Sequence, residues 1–283
     1  MLLSSNMIRI HTTFGIEETF SVFKQCGFEA IDFNTDASEY CSEEHGEEFY
    51  RELARNAASV GVAISQAHAP FPSSHEDEDE NEAIFKKIIT GMKNAAALGA
   101  PMIVVHPCVH IDTSIEGNAE RLFEYNLNFY KRLIPYAEEC GIKIAIENIS
   151  RDTTPEKLIR LYDALDNPTF TICFDVGHAL LQGVDPADAI RKLGKRLVGG
   201  CTHIHDNFGV GDDHTLPFYG AVNWDEVMKA LAEIGYDGNL NYEASNFIKD
   251  IPTELYTDAF SYMAKVGKYL VSRFEHFKNC KEG

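Results

Sequence analysis

The sequence predicts an α/β fold, a single (β/α)8 TIM barrel, and three observations support this prediction. The chain has 283 residues, a length that suits one such barrel. Runs rich in β-forming residues alternate with segments of helical periodicity eight times, so each repeat takes about 35 residues. No Gly-, Pro- or Ser-rich linker divides the chain, and the Gly-rich first turn typical of a doubly wound nucleotide-binding sheet is missing. We therefore expect one domain over residues 1–283, with residues 1–6 a loosely attached leader.

The repeats are identified by short β-rich runs, each followed by an amphipathic stretch. The predicted strands are residues 7–14, 30–35, 62–69, 102–107, 143–149, 170–178, 197–207 and 238–245. The predicted helices are residues 17–26, 47–60, 80–98, 118–140, 155–165, 186–193, 224–234 and 254–275. Five helices are followed by a glycine at the place of a left-handed C-cap residue: Gly27, Gly61, Gly99, Gly141 and Gly235.

The charge of the chain argues against a nucleic-acid partner. Asp and Glu number 44 against 25 Lys and Arg, which gives a net charge of -19. A polyanion is repelled by such a chain, whereas a small neutral carbohydrate is not affected and a divalent cation is attracted. The sequence therefore favours a small-molecule partner over DNA or RNA.

Cysteine usage and hydropathy predict a cytoplasmic protein. The seven cysteines are scattered and form no CxxC pair, which is typical of reduced thiols. The first residues contain no basic segment followed by an apolar run, so a signal peptide is not predicted. No apolar stretch of about 20 residues occurs, so a membrane partner is not predicted either.

Polar residues mark the C-terminal ends of the third to eighth predicted strands. Charged and imidazole side chains are rare in buried parallel strands, and the C-terminal rim is where barrel enzymes build their active sites. A single such residue is more often an ordinary hydrogen-bonded rim residue, but six consecutive strands carry one. The loop after the seventh strand adds Asp212, Asp213 and His214 to the residues at the strand ends, which are His68, His106, Glu147, Asn148, Asp175, His178, His203, His205, Asp206 and Glu243.

This rim of carboxylates contains almost no Lys or Arg, so a bound cation is the natural source of positive charge. Oxygen-rich sites suit Mn²⁺, Mg²⁺ or Co²⁺. Glu147 and Glu243 can flank one substrate from two sides of the barrel mouth. A cation chelated by a carbonyl and a neighbouring hydroxyl acidifies the adjacent C–H bond and stabilises the resulting enediolate. The sequence thus predicts aldose–ketose isomerisation or epimerisation.

The chain resembles the sugar isomerase/epimerase superfamily with the xylose-isomerase-like TIM barrel, which is related to the AP endonuclease family 2 barrel. The resemblance covers almost the full length. It depends on short motifs in the order expected for successive strand ends: HAP at 68–70, HP at 106–107, ENIS at 147–150, FDVGH at 174–178, HIHDN at 203–207, DDHTLPFYG at 212–220 and NYE at 241–243.

The resemblance implies a function for each of these residues. One divalent cation, Mn²⁺, Co²⁺ or Mg²⁺ with Zn²⁺ as a further option, would be held by Glu147, Asp175, His203 and Glu243, and the two glutamates would be the catalytic acid/base pair. The substrate, a sugar or sugar phosphate, would contact histidines that line the pocket. These are His68, His106, His178, His205 and His214. Barrels of this kind often form dimers, so a homo-oligomer is expected by analogy.

One departure leaves the sugar open. Ketose 3-epimerases of the superfamily usually carry an arginine about six residues after the histidine of the seventh strand, where this chain has Gly209.

The main alternative is a trinuclear-zinc phosphodiesterase similar to the AP endonucleases. Its nine ligand positions have candidates in the four metal residues together with five possible additional ligands, His68, His106, His178, Asp212 and His214. Repair enzymes need basic loops that contact phosphates, yet the predicted rim loops 36–48, 70–80 and 208–220 contain no Lys or Arg. An inosose-type dehydratase or a non-catalytic carbohydrate-binding barrel are further alternatives.

Overall fold

Eight parallel strands and the helices between them form a (β/α)8 barrel in the computed structural model, which describes residues 1–35, 45–149 and 151–280. The strands are β1 (Leu3–Asn6), β2 (Ala30–Asn34), β3 (Ala63–His68), β4 (Met102–Val105), β5 (Lys143–Glu147), β6 (Phe170–Asp175), β7 (Cys201–His203) and β8 (Leu240–Tyr242). The helices are α1 (Ile8–Phe14), α2 (Ile16–Cys26), α3 (Gly46–Ser59), α4 (Glu78–Leu98), α5 (Asn118–Cys140), α6 (Pro155–Leu165), α7 (Val176–Leu181), α8 (Pro186–Leu193), α9 (Trp224–Ile234) and α10 (Tyr256–Asn279).

The strand order confirms the predicted fold class. Neighbouring strands pair in the order β7-β6-β5-β4-β3-β2-β1-β8, and these seven pairings are all parallel. A parallel bridge between Ile204 and Tyr242 joins β7 to β8 and brings the two ends of the sheet together. Because all eight strands run in the same direction, their C-terminal ends meet at one rim.

The N-terminal prediction was wrong in two respects. Residues 1–6 are not a loose leader, since β1 is buried and pairs with both β2 and β8. The predicted strand 7–14 is instead the short helix α1. Ser4 and Ser5 concealed the strand because serine is a weak β-former, yet Ser4 Oγ lies 2.6 Å from Ser65 Oγ inside the barrel.

Several boundaries also differ from the predicted ones. The sixth strand ends at Asp175, so His178 lies on α7 and not on a strand. The seventh and eighth strands keep only three residues each out of the longer predicted runs. Four of the five predicted glycine caps, those after α2, α4, α5 and α9, are left-handed C-cap residues, whereas Gly61 follows the C-cap Val60.

An apolar layer supports the rim from inside the barrel. Val104, Ala145, Cys173 and Cys201 form a buried cluster on β4 to β7. Each stands two residues before a predicted site residue, and side chains two apart on a strand point to the same face. The site residues after them therefore point into the barrel mouth, on top of a packed interior.

Some predictions fall on residues that lie outside the described ranges. These are Cys41 and most of the first acidic rim loop, residues 36–44, together with Ser150 of the ENIS motif. The prediction of one domain over residues 1–283 stays a prediction. Among the helices of the described ranges, none has the length and apolar character that a membrane crossing requires.

Two adjacent leucines test whether β1 is part of the barrel. Leu3 is 1% exposed and Leu2 is 39% exposed. We expect Leu3→Ala to lower the free energy of unfolding by about 2–5 kcal/mol, because it leaves a cavity in the core. Leu2→Ala, the matched control, should change it by about 0.5 kcal/mol or less. Urea denaturation followed by circular dichroism measures both, and equal effects of the two variants would argue for a loose leader.

Candidate active site

The structure brings the four predicted metal ligands together at the rim. Glu147, Asp175 and His203 end β5, β6 and β7, and Glu243 follows β8. Each offers a ligand atom within 4.8 Å of the others. His203 Nδ1 lies 3.0 Å from Glu147 Oε1 and 3.3 Å from Glu243 Oε2. Oδ2 of Asp175 is buried and has no hydrogen-bond partner in the described ranges, which fits a group built to coordinate a cation.

A second group shares Glu147 with two predicted pocket histidines. His106 Nε2 lies 2.9 Å from Glu147 Oε2, and His68 Nε2 lies 3.1 Å from His106 Nε2. The ligand atoms of these three residues also lie within 4.8 Å of one another. Glu147 thus belongs to both groups, with one oxygen toward His203 and the other toward His106.

A third group combines His178, His205, Asp212 and His214, again with ligand atoms within 4.8 Å. Asp212 Oδ2 lies 3.0 Å from His214 Nε2 and 3.5 Å from His178 Nε2. His205 Nε2 lies 3.1 Å from Asp175 Oδ1, which connects this group to the first one. Asp213 lies outside the group, and its backbone carbonyl accepts a hydrogen bond from Asn246.

The carboxylates and histidines of the site shift each other's pKa values. Burial raises the pKa of Glu147 and Glu243, but the positive charge of His203 and its neighbours holds both below their usual range. Burial lowers the pKa of His68, but the hydrogen bond and charge of Glu147 raise it to about 9. His214 reaches about 9 in the same way through Asp212. Without a metal, the site therefore holds protons that a cation must displace.

Asp32 on β2 contacts a predicted metal ligand, His203, and was not singled out from the sequence. It is buried, and its Oδ2 accepts from His203 Nε2 at 3.2 Å, Gln66 Nε2 at 3.1 Å and Asn241 Nδ2 at 2.9 Å. A carboxylate on the far nitrogen of a metal-binding histidine fixes its ring orientation and tautomer. The available signal was a charged residue in the middle of the buried run AIDFN.

Asp206 positions the loop that carries Asp212 and His214. It is fully buried and accepts hydrogen bonds from the backbone N–H groups of Asn207, Phe218 and Val222 at 2.9–3.1 Å. Nε1 of Trp224 also donates to it, at 2.8 Å. The carboxylate therefore replaces regular secondary structure as the anchor of this loop.

Gly209 lies in the same loop with φ of 75°, a backbone conformation that favours glycine. An arginine side chain is therefore unsuited to this place in the chain.

Residues 20–266 match the family described as "Xylose isomerase-like TIM barrel". The uncharacterized protein y4fM of Sinorhizobium fredii is 32% identical over 255 residues, which cover 81% of each chain. The D-psicose 3-epimerase of Enterocloster bolteae is 25% identical over 201 residues, which cover 66% of this chain and 63% of that enzyme. The crystal structure of a D-tagatose 3-epimerase-like protein superimposes with a TM-score of 0.77 at 23% identity, covering 100% of both chains.

The Asp32 contact gives a test of the metal site. In Asp32→Asn the partner of His203 Nε2 loses its negative charge, so we expect Mn²⁺ or Zn²⁺ to bind about 10- to 100-fold more weakly. Competition with a coloured chelator measures the dissociation constant. Asp166→Asn, an exposed position at the C-terminal end of α6, is the matched control and should bind as the unaltered chain does. Equal affinities in the two variants would remove Asp32 from the metal site.

Proposed function

The chain belongs to the xylose isomerase-like TIM barrel family, and on this basis we propose that it is a divalent-metal-dependent sugar isomerase or epimerase. The observation that carries the proposal is the convergence of Glu147, Asp175, His203 and Glu243 within 4.8 Å. Two of these four are glutamates from different sides of the ring, so they can act on two positions of one substrate. The similarity to a D-psicose 3-epimerase favours ketoses as the first substrates to consider.

The proposed reaction transfers a proton at carbon, and an isomerisation also moves a hydroxyl proton from one substrate oxygen to the other. When bound, a divalent cation would supply positive charge that stabilises a substrate oxygen as it becomes negative. Glu147 and Glu243 are ionised at neutral pH because their pKa values lie below the usual range. One of them accepts the proton from the carbon next to the carbonyl group. A proton is then returned to the neighbouring carbon in an isomerisation, or to the opposite face of the same carbon in an epimerisation.

The pocket histidines would hold the substrate during this transfer. Burial lowers the pKa of His178, but Asp175, Asp212 and Glu147 raise it well above its usual value. At neutral pH it therefore carries a proton that it can donate to a substrate oxygen. His68 can do the same from the other side of Glu147, because its pKa is raised to about 9.

One observation favours a second function, a multinuclear metal phosphodiesterase. All nine candidate ligands of that alternative lie in the three adjoining groups, and Glu147 is shared between two of them. Against it, the rim loops 70–80 and 208–220 contain no Lys or Arg to contact a nucleic-acid backbone. We therefore rank sugar chemistry first.

The number of bound metal ions separates the two functions. Tag-free protein is prepared in metal-supplemented medium without chelators, and each metal is counted per chain by elemental analysis. We expect about one Mn, Co or Mg per chain, followed by turnover of at least one member of a ketose and aldose panel. About three Zn per chain with cleavage of abasic DNA would favour the phosphodiesterase. No metal under any condition would favour a carbohydrate-binding barrel without catalysis.

The two glutamates provide a direct test of the proton transfer. We expect Glu147→Gln and Glu243→Gln each to lower kcat by about 10²- to 10⁴-fold, because an amide cannot accept the proton. Turnover is measured at saturating metal, with the metal content determined on the same samples. Glu139→Gln on the outer side of α5 is the control and should keep full activity. Near-normal turnover in either active-site variant would overturn the acid/base assignment.

A further inference from the structure

Asn6, the last residue of β1, has a buried side-chain amide nitrogen without a hydrogen-bond partner in the described ranges. Asn6 is only 7% exposed, and its Nδ2 donates no hydrogen bond within the described ranges. Buried polar groups are almost always paired, so an orphaned amide next to an active site indicates a ligand. Asn6 belongs to none of the three groups of candidate metal ligands described above.

The strand register places Asn6 at the barrel mouth. Ser4 points into the barrel, where it contacts Ser65, and Asn6 two residues later points to the same side. Asn6 pairs with Asp32 of β2 on one side. On the other side Ser5 pairs with Tyr242, so the next residue along, Glu243, is level with Asn6. Asn6 is thus on the strand between those of Asp32 and Glu243, and at the same level as both residues.

Asp32 offers the complementary group. Its Oδ2 is occupied by three donors, but its Oδ1 is buried without a partner in the part of the chain that the structure describes. Within the described residues, Asn6 Nδ2 is therefore an unpaired donor and Asp32 Oδ1 an unpaired acceptor, and the two residues lie on neighbouring strands. A hydroxyl group, which accepts one hydrogen bond and donates another, satisfies both at once.

We propose that Asn6 and Asp32 form a hydroxyl-binding subsite beside Glu243. In it, one hydroxyl group of the sugar accepts a hydrogen bond from Nδ2 of Asn6 and donates one to Oδ1 of Asp32. The inference depends on the proposed function and extends it, because it names the substrate group that orients the reacting carbon toward Glu243. The subsite selects sugars that carry a hydroxyl at that position and in that configuration.

The test replaces Asn6 and leaves Asp32 intact, since Asp32 also positions His203. Asn6→Ala and Asn6→Leu both remove the donor, and leucine keeps about the same volume. We expect kcat/KM for the parent sugar to fall roughly tenfold in both, with unchanged metal content. Asn6→Leu should melt at the same temperature as the unaltered chain or higher, because an unpaired buried amide is gone. Asn167→Ala, a partnered asparagine before β6, is the control for activity.

Monodeoxy analogues of the same sugar complete a double-mutant cycle. In the unaltered enzyme, one analogue should lose about tenfold or more in kcat/KM, and in Asn6→Ala that same analogue should lose clearly less. Full activity of both Asn6 variants on the parent sugar would overturn the subsite and leave the proposed function standing. A loss of equal size for every analogue would also overturn it. If the metal-loaded, unaltered enzyme turns over no sugar, the proposed function fails and the subsite fails with it.

Discussion

The buried carboxylate of Glu147 is the constraint on which the rest of the site depends. It is fully buried, yet its oxygens lie 2.9 Å from His106 and 3.0 Å from His203. A buried charge is costly unless it is paired, and no Lys or Arg is bonded to it in the described ranges. Histidines provide the compensation, and histidines are also the residues that give up a proton to a metal. The histidines that balance the buried carboxylate are therefore also groups that a divalent cation could use as ligands.

The barrel makes this concentration of charge possible because apolar side chains pack below the rim, while the charged side chains lie at the rim itself. The apolar layer of Val104, Ala145, Cys173 and Cys201 packs one level below the rim. Two further buried carboxylates, Asp32 and Asp206, support the site and are not among the predicted metal ligands. Asp32 holds His203 from β2, and Asp206 organises the loop after β7 through four hydrogen bonds. The strand ends are rigid, and hydrogen bonds hold the loop after β7 in place. The ligand atoms therefore stay close together although several of them repel each other.

Family membership concerns the fold and the kind of chemistry, whereas the geometry of the site concerns the choice of substrate. The family match and the likeness to epimerases establish the barrel and the kind of chemistry to consider first. The loop after β7 carries Gly209 in a left-handed conformation. The unpaired polar atoms of Asn6 and Asp32 lie on β1 and β2. On the proposed function, substrate choice depends on where hydrogen-bond donors and acceptors, among them the Asn6 amide and the Asp32 carboxylate, lie around the candidate ligands.

The sequence by itself predicted the barrel and the polar residues that gather at its rim, because periodicity and costly polar residues at strand ends are local signals. It failed at β1, where LSSN has weak β-propensity and only the pairing with β2 and β8 makes it a strand. It also failed to single out Asp32 and Asn6. Their importance comes from neighbours distant in the chain, such as His203 and Glu243, and only the closing of the ring brings those neighbours within reach.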